Sequence, residues 1–510
     1  MIDIAALAGA LDLLTSSIIP WLVVPAGIVV GLIFGTIPGL SIPIAMAVFL
    51  PFTLSFDFLT AILFLTAVFT GGTFGTAIPA VLIRVPGTAA SVATCFDGFP
   101  MAQQGRHGEA LGIALMASTL GTGLGYILLF VLIEPISTAV LALGPPELLL
   151  ISLIGLFMIA ALSDGHLMKG LLAGALGLLI GTIGINSLGL MRGTFGSAYL
   201  LDGVPAVPAL IGLFAASDLT RLLRRDFIVS DDRDKSVSMS KILAGLRLGL
   251  RYWRTGVSGG LIGVIVGAVP GVGAAIANLM SYDLTKRTAR DPSTFGKGEP
   301  KGLVAAESAN SSSEAGSMAT LLGLGLPGGG ATAVMLGAFA MHNVTGGARF
   351  IADETDIVYA IIIGNFVQVV LLVFIGLAFV RLSSIVVQVP TRILVPAVLA
   401  FATLGTYALV GNMSGPVTLV AAAILGFWMR AHGYPVTPMV IGILLGGMVE
   451  GELIRTYQLG GGSFWYIFER PLVIVILILF VAFIVGFQRK ATLQARRLEF
   501  AGDRKEEETG

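Results

Sequence analysis

The chain has 510 residues, of which 55% are hydrophobic and 12% charged, and its mean hydropathy is +0.94. Soluble domains carry about 25% charged residues, so the composition excludes a soluble globular class and defines a polytopic membrane protein. A formal net charge of zero gives no attraction to nucleic acid, the single cysteine (Cys95) excludes an intramolecular disulfide and a cysteine-built zinc site, and the four histidines show no ligand spacing.

Hydrophobic stretches follow one another with little pause, against a criterion of about twenty apolar residues per membrane helix. The first seventeen residues carry no Lys or Arg, so the basic region of a cleavable signal is missing. Ile18 to Phe34 is the first span. A Pro38-Gly39 break follows, then Leu40 to Pro51, too short to cross alone. Phe58 to Phe69 and Phe74 to Val85 read as short stretches separated by Gly71-Gly72. Asp97 to Glu109 reads as a polar loop. Spans recur at Leu111–Ile133, Leu148–Leu162, Leu167–Leu188 and Val204–Leu219. A basic segment, Arg221 to Arg254, separates these from Gly256–Met280. The remaining spans are Ile357–Val380, Ile393–Val410, Val417–Met429, Val436–Ile454 and Pro471–Phe487, before a charged tail.

Between them lies a stretch of mixed character, Ala305 to Gly347. It carries Glu307, Asn310, Ser311, Ser312, Ser313 and Glu314, then turns at Leu326-Pro327-Gly328. Proline and glycine free peptide groups from helical bonding, and such backbone survives in a bilayer where it is buried in protein or lines a wet cavity. The pattern predicts a helix, a break and a second helix, with a polar ligand at the tip.

The chain also repeats itself. GLIFGTIPGL (Gly31–Leu40) reads against GVIVGAVPGV (Gly263–Val272), and FGTAIPAVLIRVPGTAAS (Phe74–Ser91) against AGSMATLLGLGLPGGGAT (Ala315–Thr332). The flanks of the first copy hold Asp3, Asp12 and Asp57 and no basic residue. Those of the second hold Arg247, Arg251, Arg254, Lys286, Arg287 and Arg290. Gly256–Met280 is too short for two crossings at about 1.5 Å per residue, so it is expected to dip in and return. Opposite flank polarity predicts an all-α membrane protein of two inverted-topology repeats, with re-entrant hairpins and broken helices meeting at a midplane substrate site. The expected divisions are residues 1–220 and 256–488 for the repeats, 221–255 for a basic cytoplasmic connection and 489–510 for a cytoplasmic tail. The positive-inside bias then puts the N-terminus outside and the C-terminus in the cytoplasm.

The run IRVPGTAASVATCFDGFPMAQQGRHGEALGIALMAS, with GVIVGAVPGVGAAIANLMSYDLTKR and LLGLGLPGGGATAV, resembles the large membrane subunit of the tripartite tricarboxylate transporters, the TctA family. The resemblance runs from about Gly27 to Val449. It implies a bacterial inner-membrane carrier that works with a TctC-like periplasmic solute-binding protein and a TctB-like small membrane subunit. The implied activity is cation-driven uptake of carboxylates, citrate being the type substrate, by an alternating-access, elevator-like cycle with Na⁺ or H⁺ as coupling ion. The chain departs from the family at Arg84, where relatives usually have Asn, at Ala306–Ser311, where they usually read PEAANN, and at Glu314.

Candidate substrate-binding residues are Arg84, Pro86, Gly87, Thr88, Ser91, Asn310, Ser311, Pro327, Gly328, Gly329 and Thr332. Helix N-termini at the two Pro-Gly tips offer free N–H groups and a positive dipole end to a carboxylate. Candidate cation-binding residues are Pro38, Gly39, Pro270, Gly271, Asn310 and Glu307, since carbonyls at broken helices suit a hard cation. Arg84 either meets substrate or pairs with Glu314. The competing reading of the tips is packing kinks whose Ser and Thr hydroxyls bond to their own turns. No nucleophile, dyad or nucleotide-binding context suggests an enzyme or an ATP-driven pump. A stand-alone carboxylate or anion carrier, or a channel, is the alternative.

Overall fold

The computed structural model describes residues 3–37, 40–162, 167–186, 188–217, 238–270, 273–386 and 391–482. Pro38, Gly39, Gly271, residues 221–237 of the basic connection and the 489–510 tail lie outside the described residues. In order the helices are α1 (Ile4–Thr15), α2 (Ile19–Thr36), α3 (Ile42–Phe49), α4 (Phe58–Gly75), α5 (Ala77–Ile83), α6 (Thr94–Gln103), α7 (His107–Leu141), α8 (Pro145–Leu162), α9 (Leu167–Gly181) and α10 (Ala206–Ile211). After the basic connection come α11 (Met239–Arg251), α12 (Trp253–Gly267), α13 (Gly273–Thr288), α14 (Pro300–Leu324), α15 (Gly330–Met341), α16 (Ala348–Asp353), α17 (Thr355–Val386), α18 (Thr391–Val410), α19 (Ser414–Ala431), α20 (Val436–Leu459), α21 (Tyr466–Glu469) and α22 (Pro471–Ala482). A small antiparallel hairpin, β1 (Gly184–Ile185) with β2 (Met191–Arg192), follows α9. Six helical stretches among the described residues are long and apolar enough to cross a membrane.

The chain divides into two compact units. The smaller comprises Leu143–Ile154 and Met448–Gly510. Within it Arg470 Nε donates to buried Glu147 Oε1 at 2.9 Å, and Arg455 pairs with Glu452 at 2.8 Å. The larger, Met1–Ala142 with Gly155–Gly447, holds both copies of the repeat.

In each copy two helices meet backbone to backbone. A methyl group on Gly27 would strike Ala67 and the Phe64 carbonyl, on Gly31 the Val68 carbonyl, and on Gly35 the Gly72 carbonyl. In the other copy a methyl on Gly259 would strike Ser308 and the Ala305 carbonyl, on Gly263 the Ala309 carbonyl, and on Gly267 the Ser313 carbonyl. Returning from the second helix, Gly75 abuts the Leu32 carbonyl and Gly316 the Val264 carbonyl. The pairs α2–α4 and α12–α14 thus pack in the same register. Without a hydrophobic drive between helices in lipid, such close approach supplies the dispersion that holds them.

The same contacts correct one expectation. Gly71-Gly72 does not break the chain: α4 runs through both, because they admit the Ile28 carbonyl and the Ile42 side chain. Asp97–Glu109 is likewise no loop. Residues Thr94–Gln103 are helical, and α7 begins at His107. The basic connection is also helical where described. In α11 Ile242, Gly245, Leu246 and Gly249 are buried, Gly245 against the Glu109 carbonyl of α7, while Lys241, Arg247 and Arg251 are exposed. The expected 167–188 span ends early, at Gly181.

Helix α14 is too polar to count among the six apolar stretches, yet every residue from Gly302 to Met318 is buried. It is wrapped on all sides by α4, α6, α7, α12 and α13. A helix buried all round needs small or satisfied side chains on every face, which accounts for its run of Ala, Ser and Gly.

The packing makes a prediction. Gly31→Ala and Gly263→Ala should each destabilise the detergent-solubilised protein by about 1–3 kcal/mol, the usual cost of overpacking. Gly447→Ala, whose added methyl meets nothing within 4 Å, should not. Thermal unfolding of the three variants measures this, and equal melting would show that the glycine contacts are slack.

Candidate functional site

The two Pro-Gly tips are built alike. Helix α5 ends at Arg84 in the left-handed conformation (φ 57°, ψ 26°), and α14 ends at Gly325 in the same conformation (φ 69°, ψ 17°). Pro86-Gly87 and Pro327-Gly328 follow. Gly87 lies against Thr76 and the Gly35 carbonyl, and Gly328 lies against Ser317, the repeat equivalent of Thr76. Ser91 Oγ accepts the Thr88 N–H at 3.3 Å and donates to the Thr88 carbonyl at 3.0 Å. Thr332 Oγ1 accepts the Gly329 N–H at 3.0 Å and donates to the Gly329 carbonyl at 3.1 Å. These two hydroxyls therefore close their own turns. Gly329 differs from its neighbours: a methyl there would meet nothing within 4 Å.

Each tip also rests on the other copy. Ala93, just past the first tip, donates its N–H to Asn278 Oδ1 at 2.9 Å, and Asn278 Nδ2 donates to the Ala306 carbonyl at 3.0 Å. Gly330, at the second tip, lies against Pro43 at the start of α3. The helix that follows each Pro38- or Pro270-type break thus supports the opposite tip. Pro270 itself stands beside Gly155, which Leu326 of the second tip also approaches.

The polar residues of α14 are drawn inward. Glu307 is fully buried and accepts hydrogen bonds from Thr94 and, at 3.3 Å, from Ser118. Asn310 Nδ2 donates to the Thr73 carbonyl of α4 at 3.4 Å. Ser311 is buried and its Oγ has no partner among the described residues. Glu314 Oε1 accepts from Thr70 at 2.8 Å and from Tyr126 at 2.9 Å. Gln368 of α17 braces this group, donating to Thr66 Oγ1 at 3.0 Å and to the Leu63 carbonyl at 3.1 Å. Arg84 does not pair with Glu314. It is exposed, with its guanidinium carbon 5.8 Å from the centre of the Phe99 ring.

Sequence reasoning missed Thr70, Thr94, Ser118, Tyr126, Asn278 and Gln368. Two signals were present. Thr70 is the repeat equivalent of Ser311, and Ser118, Thr122 and Tyr126 form a polar stripe of spacing four in an otherwise apolar helix. It also missed Asp97. That side chain is buried and takes the N–H groups of Gly296, Gly298 and Glu299 on one oxygen, at 2.8, 2.9 and 2.9 Å. Its other oxygen accepts from Tyr282 at 2.9 Å. Asp97 therefore clamps the turn that launches α14.

These features define a multi-pass helical membrane protein built on a duplicated broken-helix element. The chain belongs to the tripartite tricarboxylate transporter TctA family, whose model matches residues 21–441. This is a transporter family and not an enzyme class, and membership makes the protein a component of a tripartite system with partner subunits. An uncharacterized 52.8 kDa protein from the TAR-I ttuC' 3' region of Agrobacterium vitis is 30% identical over 464 residues, 90% of this chain and 91% of the relative. An uncharacterized protein from the TAR-II ttuC' 3' region of the same organism is 29% identical over 210 residues, 41% of this chain and 87% of the relative. No solved structure matches.

Removing the Asp97 carboxylate leaves three N–H groups and a phenol unpaired. Hydrogen bonds to a charged group contribute about 1.5–3 kcal/mol each, so Asp97→Ala should cost ~3 kcal/mol or more and loosen the 296–299 turn. Hydrogen exchange at that turn reads the effect. Protection unchanged from the parent would refute the clamp.

Proposed function

We propose that the protein is the large permease subunit of a binding-protein-dependent transporter and takes up a di- or tricarboxylate by cation-coupled, alternating-access, elevator-like movement. The observation that carries this reading is the doubled tip: two helices that end on a left-handed residue before Pro-Gly, each followed by a hydroxyl-closed turn, the second of which leads into the N-terminus of α15. A helix N-terminus favours an anionic ligand through free N–H groups and the positive dipole end, and carboxylates are that class of ligand. Family membership supports the tripartite arrangement, with a periplasmic solute-binding protein delivering substrate and a small membrane subunit alongside. The opposite polarity of the two flanks supports an inverted repeat, and the basic residues of 221–254 and the tail support a bacterial inner-membrane orientation with the C-terminus cytoplasmic.

In this reading Arg84, Pro86, Gly87 and Thr88 with Pro327, Gly328 and Gly329 receive the substrate, while Ser91 and Thr332 hold the turns that do so. Asn310 and Glu307, with the Pro38-Gly39 and Pro270-Gly271 breaks, serve the cation. Arg84 is exposed beside the first tip and makes no ion pair among the described residues, leaving its planar donors available for a carboxylate.

Three variants test the site in cells that also carry the cognate binding protein. Gly87 and Gly328 are packed, so alanine there disturbs the fold; Gly329 is open, so Gly329→Ala should lower uptake at unchanged stability by crowding the ligand. Arg84→Gly supplies the residue that the other copy uses at this backbone conformation. It should keep or raise stability, since a left-handed non-glycine residue costs about 1–2 kcal/mol, yet raise the apparent KM. Arg84→Lys keeps the charge, loses the fork and should raise KM with a smaller effect on the maximal rate. Wild-type kinetics in all three would remove the tips from the binding site. Uptake that is saturable, cation-dependent and lost without the binding protein supports the tripartite carrier over a stand-alone carrier or channel.

Orientation has its own test. Cysteines at Ser236 and Thr509 in a Cys95-free background should resist an impermeant thiol reagent applied to spheroplasts, and labelling at both would reverse the topology.

A further inference from the structure

The contact between α7 and α14 carries polar side chains in matched register. Ser118, Thr122 and Tyr126 follow one another at four-residue steps on α7, and Glu307, Ser311 and Glu314 lie along one stripe of α14. Ser118 reaches Glu307 and Tyr126 reaches Glu314, so Thr122 and Ser311 fall between two fixed pairs. All six are buried. The end pairs are bonded, whereas the middle is not. Thr122 Oγ1, Ser311 Oγ and Glu314 Oε2 have no partner, and they are three of the six such buried side-chain atoms among the described residues.

Buried polar atoms are almost always satisfied, and a cluster of exceptions calls for an ion or water. A hydroxyl in a membrane helix usually donates to the carbonyl one turn back, as Thr119 does to Leu115 at 2.8 Å. Thr122 and Ser311 do not. Both donors to Glu314 fall on Oε1, leaving Oε2 bare, and no Lys or Arg among the described residues contacts it. A buried carboxylate without a partner charge is strongly unfavourable. A water would satisfy the hydroxyls but not the charge; a proton on Oε2 would remove the charge and donate to one hydroxyl, leaving the other without a partner. A hard cation, which takes oxygen ligands, satisfies all three. One carboxylate balances one positive charge, which favours a monovalent ion over a divalent one.

We propose that Glu314 Oε2, Ser311 Oγ and Thr122 Oγ1 form a binding site for Na⁺ between α7 and α14, distinct from the Pro-Gly tips. This deepens the proposed function, resting on its cation coupling, and gives Glu314 a role of its own. Thr70 and Tyr126 orient the carboxylate from its other oxygen, and Gln368 holds Thr66 one turn from Thr70.

The test uses the full chain in nanodiscs, with no carboxylate and no binding protein, so that it does not depend on transport. Thermal unfolding and ²²Na⁺ binding are compared in NaCl, KCl and choline chloride at constant ionic strength, at two pH values. The parent should be stabilised by Na⁺ in a saturable way. Glu314→Gln should remove one bound Na⁺ per chain and its share of the stabilisation, leaving a cation held at Glu307 and Asn310 unaffected. Thr122→Val, which preserves shape, and Ser311→Ala should each weaken Na⁺ binding about tenfold, the loss of one ligand bond at 1.4 kcal/mol per decade. Gly447→Ala should respond as the parent does. A parent indifferent to Na⁺, a response that follows pH instead, or full Na⁺ binding in Glu314→Gln or in both hydroxyl variants overturns the site. Na⁺ binding that the variants lose, in a protein that moves no carboxylate, keeps the site and removes the transport reading; Na⁺-driven uptake with intact binding in the variants does the reverse.

Discussion

The structure depends on backbone contact between glycines of one helix and carbonyls of the next. In water two helices associate by hiding apolar surface. In lipid that drive is absent, and association rests on dispersion, helix hydrogen bonds and fit. Gly27, Gly31 and Gly35 on α2, and Gly259, Gly263 and Gly267 on α12, remove the side chains that would hold the partner helix away. The close pairs so formed are rigid enough to carry a break at their ends. Each Pro-Gly tip lies where its pair finishes, Gly87 against Gly35 and Gly328 against Ser317. Loosening the pair would therefore move the tip.

That rigidity also governs what α14 can contain. A helix enclosed on every side cannot shed a polar group into solvent, so each one needs a partner inside the bundle, whether a side chain, a carbonyl or a bound ion. Glu307 finds Thr94 and Ser118, Asn310 finds a carbonyl of α4, and Glu314 finds Thr70 and Tyr126. These partners come from α4, α6 and α7, so the polar centre of the larger unit is also where its helices are tied together. A conformational change that moved α14 relative to α7 would exchange these bonds as a set. That is the behaviour expected of a two-state element.

Much of this was legible in the chain. The repeat could be read because the glycines that make the close contacts are the residues that recur, and their spacing is the contact register. The tips could be read because proline and glycine mark a broken backbone whatever surrounds it. Other features were hidden for equally physical reasons. Gly71-Gly72 looks like a break because glycine weakens an isolated helix, yet here the missing side chains admit the Ile28 carbonyl. Asp97 looks like a loop residue because its partners, the peptide groups of Gly296, Gly298 and Glu299, are remote in sequence. A pair between Arg84 and Glu314 is what the sequence suggests, because both are charges in apolar surroundings. The fold instead turns Arg84 to the surface at a helix end and seats Glu314 among hydroxyls.

The two copies share a backbone but not a chemistry. Where α14 carries Glu307, Asn310, Ser311 and Glu314, α4 carries Thr66, Phe69, Thr70 and Thr73 at the equivalent positions. The threonines are not spectators. Thr70 donates to Glu314 and the Thr73 carbonyl accepts from Asn310, so the neutral copy supplies partners to the charged one. Acids on both helices would have faced each other across a low-dielectric interior, where like charges repel strongly. Confining the acids to one helix keeps the duplicated scaffold and lets its twin satisfy them. The tips follow the same rule in a smaller way. One left-handed cap is Gly325, which suits the conformation, and the other is Arg84, which does not. A strained residue retained against an available glycine points to its side chain, and that side chain is the exposed cation beside the first tip.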